Sequence, residues 1–219
     1  MNFEKGYIYH IYNQGNNKQK IFFNRGNYLF FLKKIKTHIL PYADILSWCL
    51  MPNHFHLMVY VKYESLPAGL NSQGFTLSKT LTVLTDLSET LTNADEKKRT
   101  FNESIGIMLR TYTRAVNKQK NLSGSLFRKE TKAVCINCPN GISPSWFSDN
   151  GITRINTSHP EKQYPQICFN YIHQNPVKAR LVKKITDWEF SSAKDYFEKR
   201  NGKLIDKELA KEYIVFSEK

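Results

Sequence analysis

The run ADILSWCLMPNHFHLMVYV, from Ala43 to Val61, decides the fold. Ala43 to Leu50 is almost continuously apolar and reads as a buried strand. Pro52-Asn53 marks a turn. His54 to Val61 reads as a second strand, so the two form a hairpin. Successive side chains point to opposite faces of a strand. Phe55, Leu57, Val59 and Val61 therefore make one unbroken apolar row, and His54, His56, Met58 and Tyr60 share the other face.

Working outward, Tyr7 to Asn13 (YIYHIYN) is aromatic and β-branched and reads as a strand that ends at Gly15-Asn16-Asn17. Between Asn27 and Leu40, Tyr28, Phe31, Leu32, Ile35 and Ile39 fall on one helical face, and Pro41 stops the helix. Asn102 to Asn117 carries a second stripe, with Ile105, Leu109, Tyr112 and Val116. Gly124 to Val134 reads as a strand. A helix follows with Pro165 in its first turn and Pro176 at its end, and a short helix continues from Pro176. Ser192 to Arg200 reads as a helix capped by Ser192, with Asp195 three residues on and Gly202 beyond its end. A last helix starts near Asp206.

The order β-α-β-β-α-β predicts an α+β fold, a ferredoxin-like split βαβ sandwich. Its antiparallel sheet carries helices on one face, with insertions and extra C-terminal helices. We expect a single domain over 1–219, with insertions or loops at 62–101 and 137–163 and a helical extension over 188–219. Both histidines then point away from the core under the helices.

The chain has 219 residues, of which 32 are Lys or Arg and 19 Asp or Glu, a net charge of +13. Such an excess favours a polyanionic partner, nucleic acid first among them. Nothing approaches the ~18 to 20 apolar residues of a membrane span. The start of the chain resembles no signal peptide. A cytoplasmic protein with reduced thiols is expected. Cys135 and Cys138 form a CxxC, but no second pair completes a zinc site. Cys49 and Cys168 sit in apolar surroundings, as small core residues do.

His54 and His56 stand about 6.6 to 6.8 Å apart along a strand. Imidazoles at that spacing can converge on one metal through bonds of about 2 Å. Taken alone, the pair reads equally as two surface histidines.

Its neighbourhood separates the readings. Met51-Pro52-Asn53-His54-Phe55-His56-Leu57 closely resembles the MPNHxHL motif of HUH-type tyrosine transposases, in particular the REP-associated tyrosine transposases. Three further blocks resemble the same family in the same order. Tyr9 to Gly15 (YHIYNQG) is similar to its YHVxxRG, and Gly124 to Lys129 (GSLFRK) to its GxLWxxR. Tyr171 to Val182 (YIHQNPVKARLV) is similar to its YIxxNPVxAGLV, and Trp188 with Ser191-Ser192 to its closing WxxSS. Gln14, Phe127 and Arg180 depart from the family's Arg, Trp and Gly.

The resemblance implies that Tyr171 is the nucleophile and that Asn175 joins His54 and His56 around a divalent metal, magnesium or manganese. Positions i and i+4 lie on one helix face, so Tyr171 and Asn175 can serve one point. On residue type alone, Tyr171 also reads as a core aromatic and Asn175 as a helix end before Pro176. The implied reaction cuts and rejoins single-stranded DNA carrying palindromic hairpins through a 5′-phosphotyrosine.

Arg128, Lys129 and Lys132, together with Lys178, Arg180 and Lys183, are the candidate phosphate contacts. The wider class has both monomers and homodimers with the tyrosine given in trans, and this chain does not choose between them. His10 receives no ligand role; support or DNA contact fits it equally. The rival readings are a non-catalytic or domesticated nucleic-acid binder and a nuclease that uses water. The first lacks an RNA-recognition consensus, and the second needs no Tyr171.

Overall fold

The central hairpin forms where the alternation requires it, as β2 (Ala43–Met51) and β3 (His54–Val61), paired antiparallel from Ala43↔Val61 to Met51↔His54. A bulge between Ile45 and Ser47 re-phases β2, which puts Trp48 and Leu50 on one face and Cys49 and Met51 on the other. The computed structural model describes residues 1–67, 97–138, 148–149, 152–153, 160–197 and 199–216.

Strand β1 (Ile8–Gln14) pairs with β3, and α1 (Arg25–His38) connects β1 to β2. The Asn24 side chain caps α1 by accepting from Asn27 N at 3.0 Å. Two short strands, β4 (Ser65–Pro67) and β5 (Lys98–Thr100), pair with each other and bracket residues 68–96, which lie outside the described residues. The chain passes from β5 straight into α2 (Phe101–Lys120) through a Thr100–Glu103 capping box. Strand β6 (Lys132–Cys135) closes the sheet in the order β2-β3-β1-β6, all antiparallel, which is the split βαβ arrangement.

Helices α1 and α2 cover one face, as expected. Phe55, Leu57, Val59 and Val61 are fully buried there with Phe31, Ile35, Phe101 and Tyr112. Burying each such side chain stabilises by about 1.5 to 3 kcal/mol. The other face is not bare. A small hairpin, β7 (Ser148–Asp149) and β8 (Ile152–Thr153), precedes α3 (Pro160–Lys178). Helix α3 then lies on that second face, where Cys168, Phe169 and Ile172 meet Ile8, Leu46, Cys49, Met51 and Met58. The C-terminal helices α4 (Ala193–Tyr196) and α5 (Lys207–Lys211) add Tyr196 and Ala210 to this second core. Among the described residues no helix is long and apolar enough to cross a membrane.

Several expectations change in detail. Gly124–Val134 is not one strand: only Lys132 onward joins the sheet, with Phe127 bridging Gly15 alone. Helix α3 runs through both prolines without ending at Pro176. Each proline removes one backbone donor, and packing on two sides of the second core offsets that cost. Ser192–Arg200 shrinks to four helical residues because Ser192 does not cap. Its hydroxyl accepts from Trp48 N at 2.9 Å, donates to Trp48 O at 3.2 Å, and meets His173 Nε2 at 2.7 Å. Cys135 and Cys138 are joined as a disulfide, where reduced thiols were expected, because the CxxC brings their Cα atoms to 5.9 Å. Cys49 and Cys168 are buried and free, as read from the sequence.

Candidate active site

The tight turn Met51-Pro52-Asn53 delivers His54 at the head of β3. It is braced from outside: Gly15 N donates to Asn53 O at 2.8 Å, and Ile21 N and Phe22 N both donate to Pro52 O. Gly15 is required at that brace, since a Cβ there would stand 2.2 Å from Gln19 O. The Asn53 side chain is held at both ends. Its Nδ2 donates to Lys18 O at 3.2 Å, and its Oδ1 lies 2.6 Å from His54 Nδ1. An amide oxygen only accepts, so His54 carries its proton on Nδ1 and turns the Nε2 lone pair outward.

His56, two residues on, is buried on the same face. Its Nδ1 lies 2.9 Å from His10 Nε2, across the β1–β3 ladder. Its Nε2 is buried and has no hydrogen-bond partner among the described residues. Burial holds His10 down to about 4 and His56 well below the usual histidine range, the neighbouring His10 and His54 adding to the second shift. Burial also lowers His54, and its hydrogen bond with Asn175 works the other way. All three imidazoles are thus neutral at pH 7, the form that offers lone pairs.

Helix α3 brings the second half. The Tyr171 ring lies 5.4 Å from His56 and 6.1 Å from His10, edge-on to each. Asn175 sits one turn on, its Nδ2 donating to Tyr171 O at 2.9 Å. It hydrogen-bonds both His54 and the Tyr171 phenol. Burial raises the Tyr171 phenol, and Asn175 partly offsets the rise. Tyr12 closes the cluster, 4.8 Å from His10 and 5.8 Å from His56 between ring centres. The structure therefore brings His54, His56, Tyr171 and Asn175 together from β3 and α3.

Among the described residues no group of three or more His, Cys, Asp or Glu is arranged to hold a metal ion. A cation at this cluster would rest on two imidazole Nε2 atoms and the Asn175 amide oxygen. The unpartnered, buried Nε2 of His56 fits that role, since an unpaired polar atom in the interior asks for a ligand.

The candidate phosphate contacts divide into two regions. Arg128 and Lys129 line a groove of about 910 Å³ between α2 and the approach to β6, with Arg110 and Arg114 from α2 opposite them. Lys132 borders the same groove, but its register with Tyr12 places it on the His56 face, two strands away. Lys178, Arg180 and Lys183 are exposed beyond Asn175, where α3 ends. Arg180 holds φ 56, a left-handed conformation that favours glycine.

Sequence reasoning missed Asn53 and His10 as groups that orient imidazoles, and Arg110 and Arg114 as groove cations. Asn53 adjoins His54, which was a usable signal. His10 needed the strand register, which no local pattern supplies.

No known family description matches the sequence, and no curated protein matches it. A solved structure described as a REP-associated tyrosine transposase bound to a REP hairpin aligns with 93% of this chain and 90% of that one, at 16% identity and a TM-score of 0.47. An alignment this loose assigns no role to any residue here.

Proposed function

We propose that this protein is a metal-dependent tyrosine transposase, a DNA strand transferase and endonuclease that cuts and rejoins single-stranded DNA. The observation that carries the reading is the meeting of Tyr171, His54, His56 and Asn175 in one cluster, from a strand and a helix more than a hundred residues apart in sequence. A packing aromatic and a stray surface histidine have no reason to share one asparagine, as Tyr171 and His54 share Asn175.

His54 Nε2, His56 Nε2 and the Asn175 oxygen would hold magnesium or manganese, and the bound cation would polarise the scissile phosphate as a Lewis acid. The residues themselves do the rest. Tyr171 Oη attacks phosphorus, a new O–P bond forms, and the bond to the 3′-oxygen breaks. The phenol loses its proton to the surroundings, and the departing 3′-oxygen takes one up. A 5′-phosphotyrosine and a free 3′-hydroxyl result. Because the phosphodiester energy is kept in the covalent link, a second 3′-hydroxyl can reverse the step without ATP. Asn175 favours the deprotonated phenol against the effect of burial. The basic groove and the cations after α3 suit a polyanion reaching the site from its edge.

The partner in this reading is single-stranded DNA with palindromic hairpins, and the protein works in the cytoplasm with the nucleoid. Labelled single-stranded DNA bearing candidate hairpins, incubated with manganese and run on a denaturing gel, tests it. A slow, protease-sensitive adduct that needs metal and disappears in Tyr171→Phe and His54→Ala is expected. Cleavage without an adduct, surviving Tyr171→Phe, would instead mean hydrolysis by water.

A further inference from the structure

We propose that His10 is the positioning residue for His56: it accepts the His56 Nδ1 proton and so fixes the imidazole with its Nε2 lone pair facing the cluster. The inference rests on the reading of His54 and His56 as metal ligands.

The 2.9 Å contact between His10 Nε2 and His56 Nδ1 needs one proton between two nitrogens. If His10 were the donor, His56 would carry its own proton on Nε2. That atom is buried and has no acceptor among the described residues. A buried N–H without a partner is the costly arrangement. If His56 is the donor, its Nε2 presents a lone pair, and the pocket has a place for a cation. His10 is itself only 6% exposed, and its ring stacks against His56 with centres 5.1 Å apart, so the pair is fixed in orientation as well as in protonation.

The neighbouring histidine shows the same device in different chemistry. Asn53 Oδ1 takes the Nδ1 proton of His54 while Lys18 O pins the amide. Both imidazoles are thus oriented from behind through Nδ1, one by an amide oxygen and one by a third imidazole. Partners of this kind hold a ligand's ring plane and tautomer, and their loss weakens metal binding.

Manganese affinity, measured by EPR titration without DNA, tests this on wild type, His10→Gln, His10→Leu, His10→Asn and His54→Ala. Gln places an acceptor near the Nε2 position, whereas Leu has none and the Asn amide is too short. We expect His10→Leu and His10→Asn to bind manganese about 10- to 100-fold more weakly, and His10→Gln to stay within about threefold of wild type. Near-ultraviolet circular dichroism checks the fold of each variant, and His10→Asn decides if His10→Leu does not fold. Pulsed EPR should count two coordinated imidazoles in both wild type and His10→Gln. Wild-type affinity in folded His10→Leu or His10→Asn overturns the inference. So do three coordinated imidazoles, which would make His10 a ligand. Failure of wild type itself to bind manganese removes the metal reading and this inference with it, whereas loss in His54→Ala alone removes only the role of His10.

Discussion

Replacing Arg200 by Met should destabilise the protein by about 3 kcal/mol. The Arg200 guanidinium makes two bonds of 2.7 Å to the Asp195 carboxylate. It also donates to Glu189 O at 2.9 Å and Ser191 O at 2.7 Å, and lies 5.2 Å above the Trp48 ring. The Asp195 side chain is 2% exposed and that of Arg200 32%. Removing one partner of a buried pair typically costs about 3 to 5 kcal/mol, because the other charge stays buried. The partial exposure of Arg200 argues for the lower end. Gly202 N, donating to Asp195 at 2.9 Å, would be the main remaining compensation. Met keeps the apolar stem over Trp48, so the loss reports the charge. Urea unfolding followed by tryptophan fluorescence should show a lower midpoint at unchanged slope, with the melting temperature about 6 to 12 °C lower. The double variant Asp195→Asn/Arg200→Met should recover more than half. A loss under about 1 kcal/mol for Arg200→Met would class the clasp with exposed ion pairs and refute this reasoning.

Three further outcomes are expected. Burial holds His173 down to about 3, below its unfolded value, so its contribution to stability is complete above pH ~6.5 and falls as pH drops toward 3. His173→Gln, which keeps a donor for Ser192, should flatten the pH dependence of the unfolding free energy from urea titrations between pH 6 and 4 by about 1.4 kcal/mol per pH unit; an unchanged slope means that His173 can charge in the folded state. Arg180→Gly should raise stability by up to about 1 kcal/mol, since a left-handed non-glycine costs about 1 to 2 kcal/mol and glycine returns part of that as chain entropy. Arg180→Ala should give no gain, and equal effects of the two in thermal melts would discount the backbone explanation. Replacing Arg110, Arg114, Arg128 and Lys129 together by Ala should weaken single-stranded DNA binding and reduce the log–log salt slope by about 2 to 3, at roughly 0.7 per phosphate contact. An unchanged slope in fluorescence anisotropy would show that DNA does not enter the groove.

The strand that carries the histidines was legible to the residue, because a period of two over His54–Val61 admits one strand phase. Helices α1 and α2 were legible within a few residues for the same reason at a period of 3.6. The extent of α3 was not. Its apolar residues face a second core made by β2, β3 and the chain end, and that packing overrides two prolines which argue locally for boundaries. Ser192 misled in the opposite direction. It has the residue type of a cap, but three long-range hydrogen bonds claim its hydroxyl. The spacing of Tyr171 and Asn175 was visible, whereas their approach to His54 and His56 depends on how α3 crosses the sheet.

That crossing is set from far along the chain. Ser192 bonds both Trp48 in β2 and His173 in α3, so one hydroxyl ties the tyrosine helix to the sheet two residues from Tyr171. Ser191 bridges Cys49, and Arg200 holds the Ser191 carbonyl from outside. The strap from Trp188 to Gly202 therefore works as a spacer. In the reading proposed here it would help, with the apolar contacts of α3 on the sheet, to set the distance from the phenol to the two imidazoles. Geometry of this kind is unforgiving, since an error near 1 Å at reacting groups can cost about a hundredfold in rate. The strap also reaches the core under α1 and α2, where Phe190 stacks on Tyr28 with ring centres 3.8 Å apart. In the reading proposed here, Ser191, Ser192 and Arg200 would act on the chemistry through the placement of α3, and loosening their contacts should reduce adduct formation.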